Sequence, residues 1–529
     1  MSSREAPFVT SLGHAGLRIE TSRVRVLCDP WLSKGGAFLG SWFPFPDNSH
    51  LATKQMLDCD WVAVSHEHLD HLDLDLLPTL PDRVRVVIPR YPSGVLRGRL
   101  ARAGVRNVIE VGAWERLQLN PGGDWLTVIP EQSPMCHDAA ILVVVNGFAI
   151  MHTNDARLTV SQGRRASEEV GHQLDLMGVQ MSGASWHPIC YDYPSDVSAR
   201  IGADKRRSKF RAVVRMLRGV RPRLVLPYAG PPCFLDDSLR RHNLQMREPG
   251  VFPHQGQALT WLQERIPEQS ALCLLPGDAI ELGSEAVTRS PEWADFSLDD
   301  CDDYLDRYAR QRSDDISATY ARYPDPPSGS ALYERFEDHF MRLGGMSNYF
   351  LERIGMTVRF EVAGDAGGTW DVRLGPDGVG VDRAKGRLAS YGFAVEARWL
   401  DAVLTGEIRW EDLFLSLRFS AWREPDLYND YLVGLLKHAD PSALAAIEEY
   451  ETGRDPDDMV VLRDRTRDRD VAVSRYCPHA GEDLSESAVL SDGVLRCLGH
   501  NFEFDLESGE CLNARCSPLK VRPLAPSRT

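Results

Sequence analysis

The chain lacks any run of about 18 or more apolar residues, so no segment has the length and composition of a membrane-spanning helix. It lacks a basic excess: Lys plus Arg number 60 against 76 for Asp plus Glu, a net charge of −16. A duplex-binding protein needs a basic footprint, so no nucleic acid is expected as a partner, and no membrane either. The acidic surface keeps the protein soluble and suits a basic partner. The stretch Met1 to Thr10 lacks the basic start and apolar core of a secretory leader, and the expectation is a cytoplasmic protein. A disulfide framework is also missing. The eleven cysteines are an odd number, seven scattered through the first 301 residues and four crowded between Cys477 and Cys516, which is the clustering of metal ligands. There are no internal repeats and no low-complexity tract.

What is there is ample. A length of 529 residues argues for about three or four domains. Hydrophobic residues at 43% and charged residues at 26% are those of a globular chain with cores to build, which excludes global disorder.

Short β-rich runs at residues 24–28, 61–65, 84–88, 141–145 and 224–226 alternate with helical or loop stretches, which predicts an α/β domain over residues 1–289. The chain then turns acidic and Pro-rich, ending in Tyr323-Pro-Asp-Pro-Pro-Ser-Gly-Ser, and residues 290–330 are expected to be a linker. A small α+β domain is predicted over residues 331–450. It opens with a helix near 330–342, followed by strands in which Val358, Phe360 and Val362, then Trp370, Val372 and Leu374, alternate with polar neighbours. After a helical stretch at 441–449 and a boundary at 452–458, residues 455–529 form a short all-β segment rich in Cys and His.

The first cluster with chemistry follows an apolar strand. Trp61-Val-Ala-Val-Ser65 runs into His66-Glu-His68-Leu-Asp70-His71, so a strand delivers imidazoles and a carboxylate to the loop at its C-terminal end, where open α/β sheets place their sites. Alternation points His66 and His68 the same way, and Asp70 and His71 can return from the next turn. This donor set suits a borderline divalent metal: zinc, iron or manganese.

The HxHxDH pattern, with Gly13-His14-Ala15-Gly16 and Cys28-Asp29-Pro30-Trp31-Leu32 before it, resembles the lactonase-like branch of the metallo-β-lactamase superfamily. The resemblance implies an αββα sandwich. It also implies further ligands at His137 and at Asp155, in His152-Thr-Asn-Asp155, the latter as a bridging carboxylate. Where that family places a final histidine after the strand Leu224-Val-Leu-Pro-Tyr228, this chain has Ala229-Gly230. A missing ligand leaves an open position, which an iron that binds dioxygen needs. Ser182-Gly-Ala-Ser185, Tyr191-Asp-Tyr-Pro194, the basic stretch Lys205-Arg-Arg-Ser-Lys209, Arg221-Pro-Arg-Leu-Val-Leu-Pro-Tyr-Ala-Gly230 and Pro276-Gly-Asp-Ala-Ile-Glu-Leu282 resemble the CMP-N-acetylneuraminate hydroxylase family over residues 8–285. His14, His187 and Asp70 are the candidates for pocket-lining catalytic groups, and His254 is a candidate for the missing ligand. Lys205, Arg206 and Lys209 are candidates for binding a phosphate.

The second cluster is Cys477-Pro-His479 and, after seventeen intervening residues, Cys497-Leu-Gly-His500. Each loop offers one thiolate and one imidazole, so two Cys can hold one iron and two His the other, the ligand set of a Rieske [2Fe-2S] centre. A finger-type zinc site would instead pair its two Cys on one ribbon. Residues 459–524 resemble a compact Rieske ferredoxin domain; Cys511 and Cys516 lie outside the ligand pattern. The segment between the two clusters resembles, weakly, a sterol-carrier-type domain, and its Trp and Phe residues are expected to form an ordinary core.

A one-electron relay and a metal site with an open position point to an O2-dependent hydroxylase. The Rieske centre would reduce one or two non-haem irons, with zinc or manganese as alternatives, for attack on a small polar substrate, nucleotide- or sugar-linked. The hydroxylase resemblance implies electrons from NAD(P)H through a reductase and a cytochrome, for which a ferredoxin could stand in. Homo-oligomerisation is left open. In that family the Rieske domain precedes the metallo-β-lactamase-like domain, whereas here it follows. The alternative is a metal-dependent hydrolase of a lactone, amide or phosphodiester with the Rieske domain as a redox sensor. A bare electron carrier is disfavoured by the intact His66 to His71 cluster.

Overall fold

The computed structural model describes residues 5–182, 186–247, 250–384, 386, 389–455, 457–499 and 501–524. His500 and residues 183–185, part of one of the quoted motifs, lie outside them. The chain divides into two compact units: residues 1–131, 137–189 and 194–322 form the first, and residues 132–136, 190–193 and 323–529 the second.

The first unit is built on two sheets. Eight strands are ordered Val287–Thr288, Ala279–Glu281, Phe8–Gly13, Gly16–Glu20, Arg25–Cys28, Trp61–Ala63, Arg85–Pro89 and Val108–Val111. Six more are ordered Leu224–Tyr228, Leu176–Gln180, Phe148–His152, Ala139–Val145, Trp125–Pro130 and Leu117–Gln118. Residues of both sheets, among them Val26, Ala63, Ile141, Ile150 and Leu226, share one buried cluster, so the sheets pack face to face. Their outer faces are covered in turn: the helix Val95–Arg102 lies against the eight-stranded sheet, and the helices Val160–Val170, Ser195–Val220 and Gln255–Arg265 lie against the other. This is the αββα layering expected of residues 1–289.

Within each sheet a set of parallel strands runs in one sense, four in the eight-stranded sheet, where Val108–Val111 continues the set beside Arg85–Pro89, and three in the other. Arg25–Cys28, Trp61–Ala63 and Arg85–Pro89 are parallel neighbours, as are Phe148–His152, Leu176–Gln180 and Leu224–Tyr228. Strands buried on both faces are continuous apolar runs, which is why Val26-Leu27-Cys28 and Ile150-Met151 carry no polar alternation and why polar residues crowd just past their ends.

The stretch expected as a linker over residues 290–330 differs from that expectation. It forms the helices Asp302–Gln311 and Ser313–Arg322 within the first unit. The Tyr304 hydroxyl accepts from the Asp47 N–H at 2.7 Å, and Arg312 pairs with Asp47 at 2.9 Å. The acidic residues that suggested a linker instead occupy the first turns of these helices, where they complement the helix dipole.

In the second unit the strands Gly378–Arg383, Gly368–Gly375, Met356–Ala363, Tyr391–Glu396 and Phe419–Arg423 form one sheet. The helix Gly329–Gly344 brings Phe336 and Phe340 to a buried aromatic core, where the Phe336 ring centroid lies 4.7 Å from Phe340, 4.8 Å from Trp370 and 5.2 Å from Phe360. The C-terminal part adds two three-stranded sheets, Met459–Asp464, Arg469–Ser474 and Val521–Pro523, and Ala488–Ser491, Val494–Cys497 and Glu503–Asp505.

Candidate metal centre and cluster-binding loops

The polar residues past the parallel strand ends meet in one buried constellation in the first unit. Asp29 follows the strand Arg25–Cys28, Ser65 to His71 follow Trp61–Ala63, and His152 to Asp155 end and follow Phe148–His152. His14 comes from the hairpin turn between Phe8–Gly13 and Gly16–Glu20, where Gly13 has φ +87° and a Cβ would meet Asn48 Nδ2 at 2.9 Å. That turn therefore needs glycine, and it fixes where the His14 ring begins.

Asp29 is the hub. Its Oδ1 accepts from the Ser65 N–H at 2.8 Å, and its Oδ2 accepts from Ser65 Oγ at 2.6 Å, His71 Nδ1 at 2.9 Å and His152 Nε2 at 2.9 Å. The tautomers follow. His71, donating from Nδ1, keeps its Nε2 lone pair for the site. Ser65, having given its proton to Asp29, accepts from His66 Nδ1 at 2.8 Å, which leaves His66 Nε2 free to ligate. His152 takes the Tyr228 hydroxyl on Nδ1 at 2.8 Å, and that hydroxyl oxygen accepts from the Asn154 N–H at 2.8 Å. Burial opposes ionisation of Asp29, but the bonds from His152 and His71 outweigh it and hold the carboxyl well below the usual range.

The donor atoms left over gather into two groups. His66, His68 and Asp155 form one, and His14, Asp70 and His71 the other, with the donor atoms of each group within 4.8 Å of one another. His66 Nε2 is 2.8 Å from His68 Nδ1, His14 Nε2 is 2.9 Å from Asp70 Oδ2, and His71 Nε2 is 3.6 Å from Asp70 Oδ2 and 3.4 Å from Asp155 Oδ1. Asp70 Oδ1 and His71 Nε2 are buried without a hydrogen-bond partner. Such atoms are costly unless something satisfies them, and a cation suits this donor set. Although burial favours the neutral ring, Asp70 and Asp155 push the His71 pKa well above its ordinary value, whereas burial and then His71 itself lower that of His66. In the absence of an ion these carboxylates draw a proton onto His71; a bound cation would displace it, and the imidazole and carboxylate donors fit a borderline metal.

His137 belongs to neither group. Its Nδ1 lies 3.6 Å from Glu67 Oε1 and its ring stacks on Tyr91 at 5.1 Å. His187 is also in neither group, and its carbonyl accepts from Lys205 Nζ at 2.8 Å. His254 caps the helix Gln255–Arg265 and lies 3.0 Å from Asp299, so it does not supply the missing ligand. Lys209 is half-buried and donates to Gln180 Oε1, while Gln180 Nε2 donates to Asp155 Oδ1. Burial, and then the Arg157 charge, lower the Lys209 pKa to about 7. Arg206 instead bonds Gln257 at 2.8 Å. Sequence reasoning quoted Asp29, Ser65, His152 and Tyr228 within motifs without giving them roles. The available signal was a charged residue directly after an apolar strand.

In the second unit two loops are built alike. The Cys477 N–H donates to the Glu482 carbonyl at 2.8 Å and the Cys497 N–H to the Phe502 carbonyl at 2.9 Å, five residues on in each case. Gly481 donates to the Cys477 carbonyl and Asn501 to that of Cys497, at 2.9 and 2.8 Å, and both residues have positive φ, +71° and +60°. Both cysteines are fully buried, and the hydrogen bond with Cys497, together with burial, raises the Cys477 thiol well above its ordinary value. Two buried sulfurs on matched loops suit an iron ion, which binds thiolate and so removes those protons. The His479 ring packs on Phe502 at 4.2 Å, and its Nε2 lies 3.7 Å from Asp430. Cys511 and Cys516 lie beside one another in the same core and share a hydrogen bond.

Comparison with known proteins agrees with both halves. Residues 437–523 match the Rieske [2Fe-2S] domain family, and residues 24–193 match a beta-lactamase superfamily domain. A Rieske 2Fe-2S iron-sulfur protein of Mycolicibacterium smegmatis is 30% identical over 535 residues, covering 98% of this chain and 100% of the relative. The cytidine monophosphate-N-acetylneuraminic acid hydroxylase of Cricetulus griseus is 28% identical over 235 residues, 42% of this chain and 39% of that protein. Among solved structures, the diiron beta-hydroxylase CmlA of Streptomyces venezuelae aligns at 17% identity with a TM-score of 0.36, covering 54% of each chain. Among the described residues no helix is long and apolar enough to cross a membrane.

Proposed function

The chain belongs to the family of the mycobacterial Rieske 2Fe-2S iron-sulfur proteins, and from that premise we propose that it is a Rieske-dependent monooxygenase acting on a small anionic substrate. The observation that carries this reading is the pairing, in one chain, of two matched buried cysteine loops with a buried imidazole and carboxylate site whose donors gather in threes, too few to fill the coordination of such an ion. Electron delivery and an open metal position are what O2 activation requires.

Cys477 and Cys497 would hold one iron of the cluster, and His479 and His500 the other. His66, His68, Asp70, His71 and Asp155 would hold non-haem iron in the first unit, with His137, stacked on the Tyr91 ring whose hydroxyl donates to the Ser65 carbonyl, and His187, whose carbonyl takes Lys205 Nζ, proposed to line the pocket. Iron held by these residues would supply the redox chemistry for reducing dioxygen. The chain's own residues do the rest. Asp29 sets the tautomers of His71 and, through Ser65, of His66, so that Nε2 of each ring faces the site. Lys209, joined through Gln180 to the Asp155 side of the site, together with Lys205, offers positive charge to a substrate phosphate or carboxylate. The names of the hydroxylase relatives specify a monophosphate and an acid, in keeping with that charge. Reducing equivalents would come from NAD(P)H through a reductase and a ferredoxin or cytochrome.

The test is substitution of Cys477. With reductase, NAD(P)H and O2 supplied, Cys477→Ser should abolish product formation and oxygen uptake together. Turnover that persists in the variant, or that needs neither O2 nor reductant in the wild type, would indicate a metal-dependent hydrolase.

A further inference from the structure

We propose that His14 is itself a metal ligand, taking the place left by Ala229, so that the first unit holds two ions rather than one. This deepens the preceding reading and rests on it for the presence of iron.

The inference starts from spacing. Imidazole nitrogens and carboxylate oxygens bind such ions at about 2.0–2.2 Å, so two donors on one ion stand about 3.0 Å apart at a right angle and about 3.4 Å apart at a tetrahedral one. His14 Nε2 and Asp70 Oδ2 are 2.9 Å apart, and His71 Nε2 and Asp70 Oδ2 are 3.6 Å apart. These are the separations of donors around a shared ion, and all three side chains are buried.

The second observation concerns the vacated position. Ala229 follows the strand Leu224–Tyr228, and its N–H donates to the His14 carbonyl at 3.0 Å. The end of the strand that lacks the histidine is therefore bonded to the very turn that carries one. The Ala229 side chain is a buried methyl group and offers no donor atom of its own. The third observation is Asp70 Oδ1, buried and without a hydrogen-bond partner although Oδ2 of the same carboxylate has His14. A carboxylate placed only to hold His14 would not need its second oxygen stripped of partners, whereas one that ligates an ion does not leave it uncompensated.

The remaining triad, His66, His68 and Asp155, serves the other ion. His71 Nε2 lies 3.4 Å from Asp155 Oδ1, so the two triads adjoin and the Asp155 carboxylate stands where it can reach both.

The rival is that His14 only donates a hydrogen bond to Asp70 and orients it. Two variants separate the roles: His14→Ala removes ligand and bond, while His14→Gln keeps a side-chain amide that can donate to Asp70 but ligates poorly. The readout is iron per chain and Mössbauer spectra of anaerobically loaded full-length protein, with the reduced Rieske signal in electron paramagnetic resonance as the control for folding. The proposal expects two irons beyond the cluster in the wild type and one in both variants. It is overturned if His14→Gln retains both, or if the wild type binds a single iron there, results that leave the oxygenase reading standing. No iron beyond the cluster in the wild type would overturn both. Should either variant fail to fold, iron-edge anomalous scattering from crystals of the wild-type holoprotein decides: an iron peak within bonding distance of His14 Nε2 supports the proposal, and its absence there overturns it.

Discussion

Asp29 Oδ2 accepts a hydrogen bond from His71 Nδ1 at 2.9 Å, and both side chains are fully buried. Through this contact a residue outside both donor groups decides which nitrogen of His71 faces the metal site. An asparagine at position 29 would present an N–H to His71 and reverse the tautomer. Asp29→Asn is therefore expected to weaken iron binding by about 10–100-fold, the usual cost of losing such a partner. Competition titration against a chromophoric chelator measures it, and unchanged affinity would show that the Asp29 network does not govern the site.

Tyr228 closes the same network from the opposite sheet. Tyr228→Phe strands the Asn154 N–H and His152 Nδ1, both buried, at about 1–3 kcal/mol for each unsatisfied group. Hydrogen exchange across residues 150–155 in the full-length protein should lose protection accordingly, while the Rieske signal stays unchanged.

Lys209 supplies a dependence on pH. With its pKa lowered to about 7 by burial and Arg157, its charge fades as pH rises through that value. Affinity for sulfate, a small anion whose own charge is constant over this range, read by calorimetry, should fall from about pH 6 to about pH 8 in the wild type and stay low and flat in Lys209→Met. Stability moves the other way. Above about 7 the folded chain has shed a proton that the unfolded chain keeps to about 10.4, so native stability relative to Lys209→Met rises with pH across that interval.

Much of this was legible in the sequence because the chemistry is local. The His66 to His71 run and the two cysteine loops are contiguous motifs, and apolar runs such as Val26-Leu27-Cys28 declare buried strands. Residues joined only by the fold were harder to read. His14 and Asp70 are 56 positions apart and Asp29 and His152 are 123 apart, so the hub and the contact of His14 with Asp70 emerge only when the two sheets pack. His254 was a candidate for the missing ligand although nothing in its spacing required it, and in the fold it caps a helix. The acidic stretch at residues 302–315 read as a linker because charge at a helix start and charge in a solvated crossing have the same composition.

Service of the histidine site by the cluster in activating dioxygen is read from the rate of cluster oxidation. Anaerobically reduced, iron-loaded protein is mixed with O2 and the Rieske signal is followed by freeze-quench electron paramagnetic resonance in the wild type and in His66→Ala. Rapid oxidation of the cluster is expected in the wild type and markedly slower oxidation in His66→Ala, where the site has lost a ligand but the cluster is intact. Equal rates in the two proteins would contradict it.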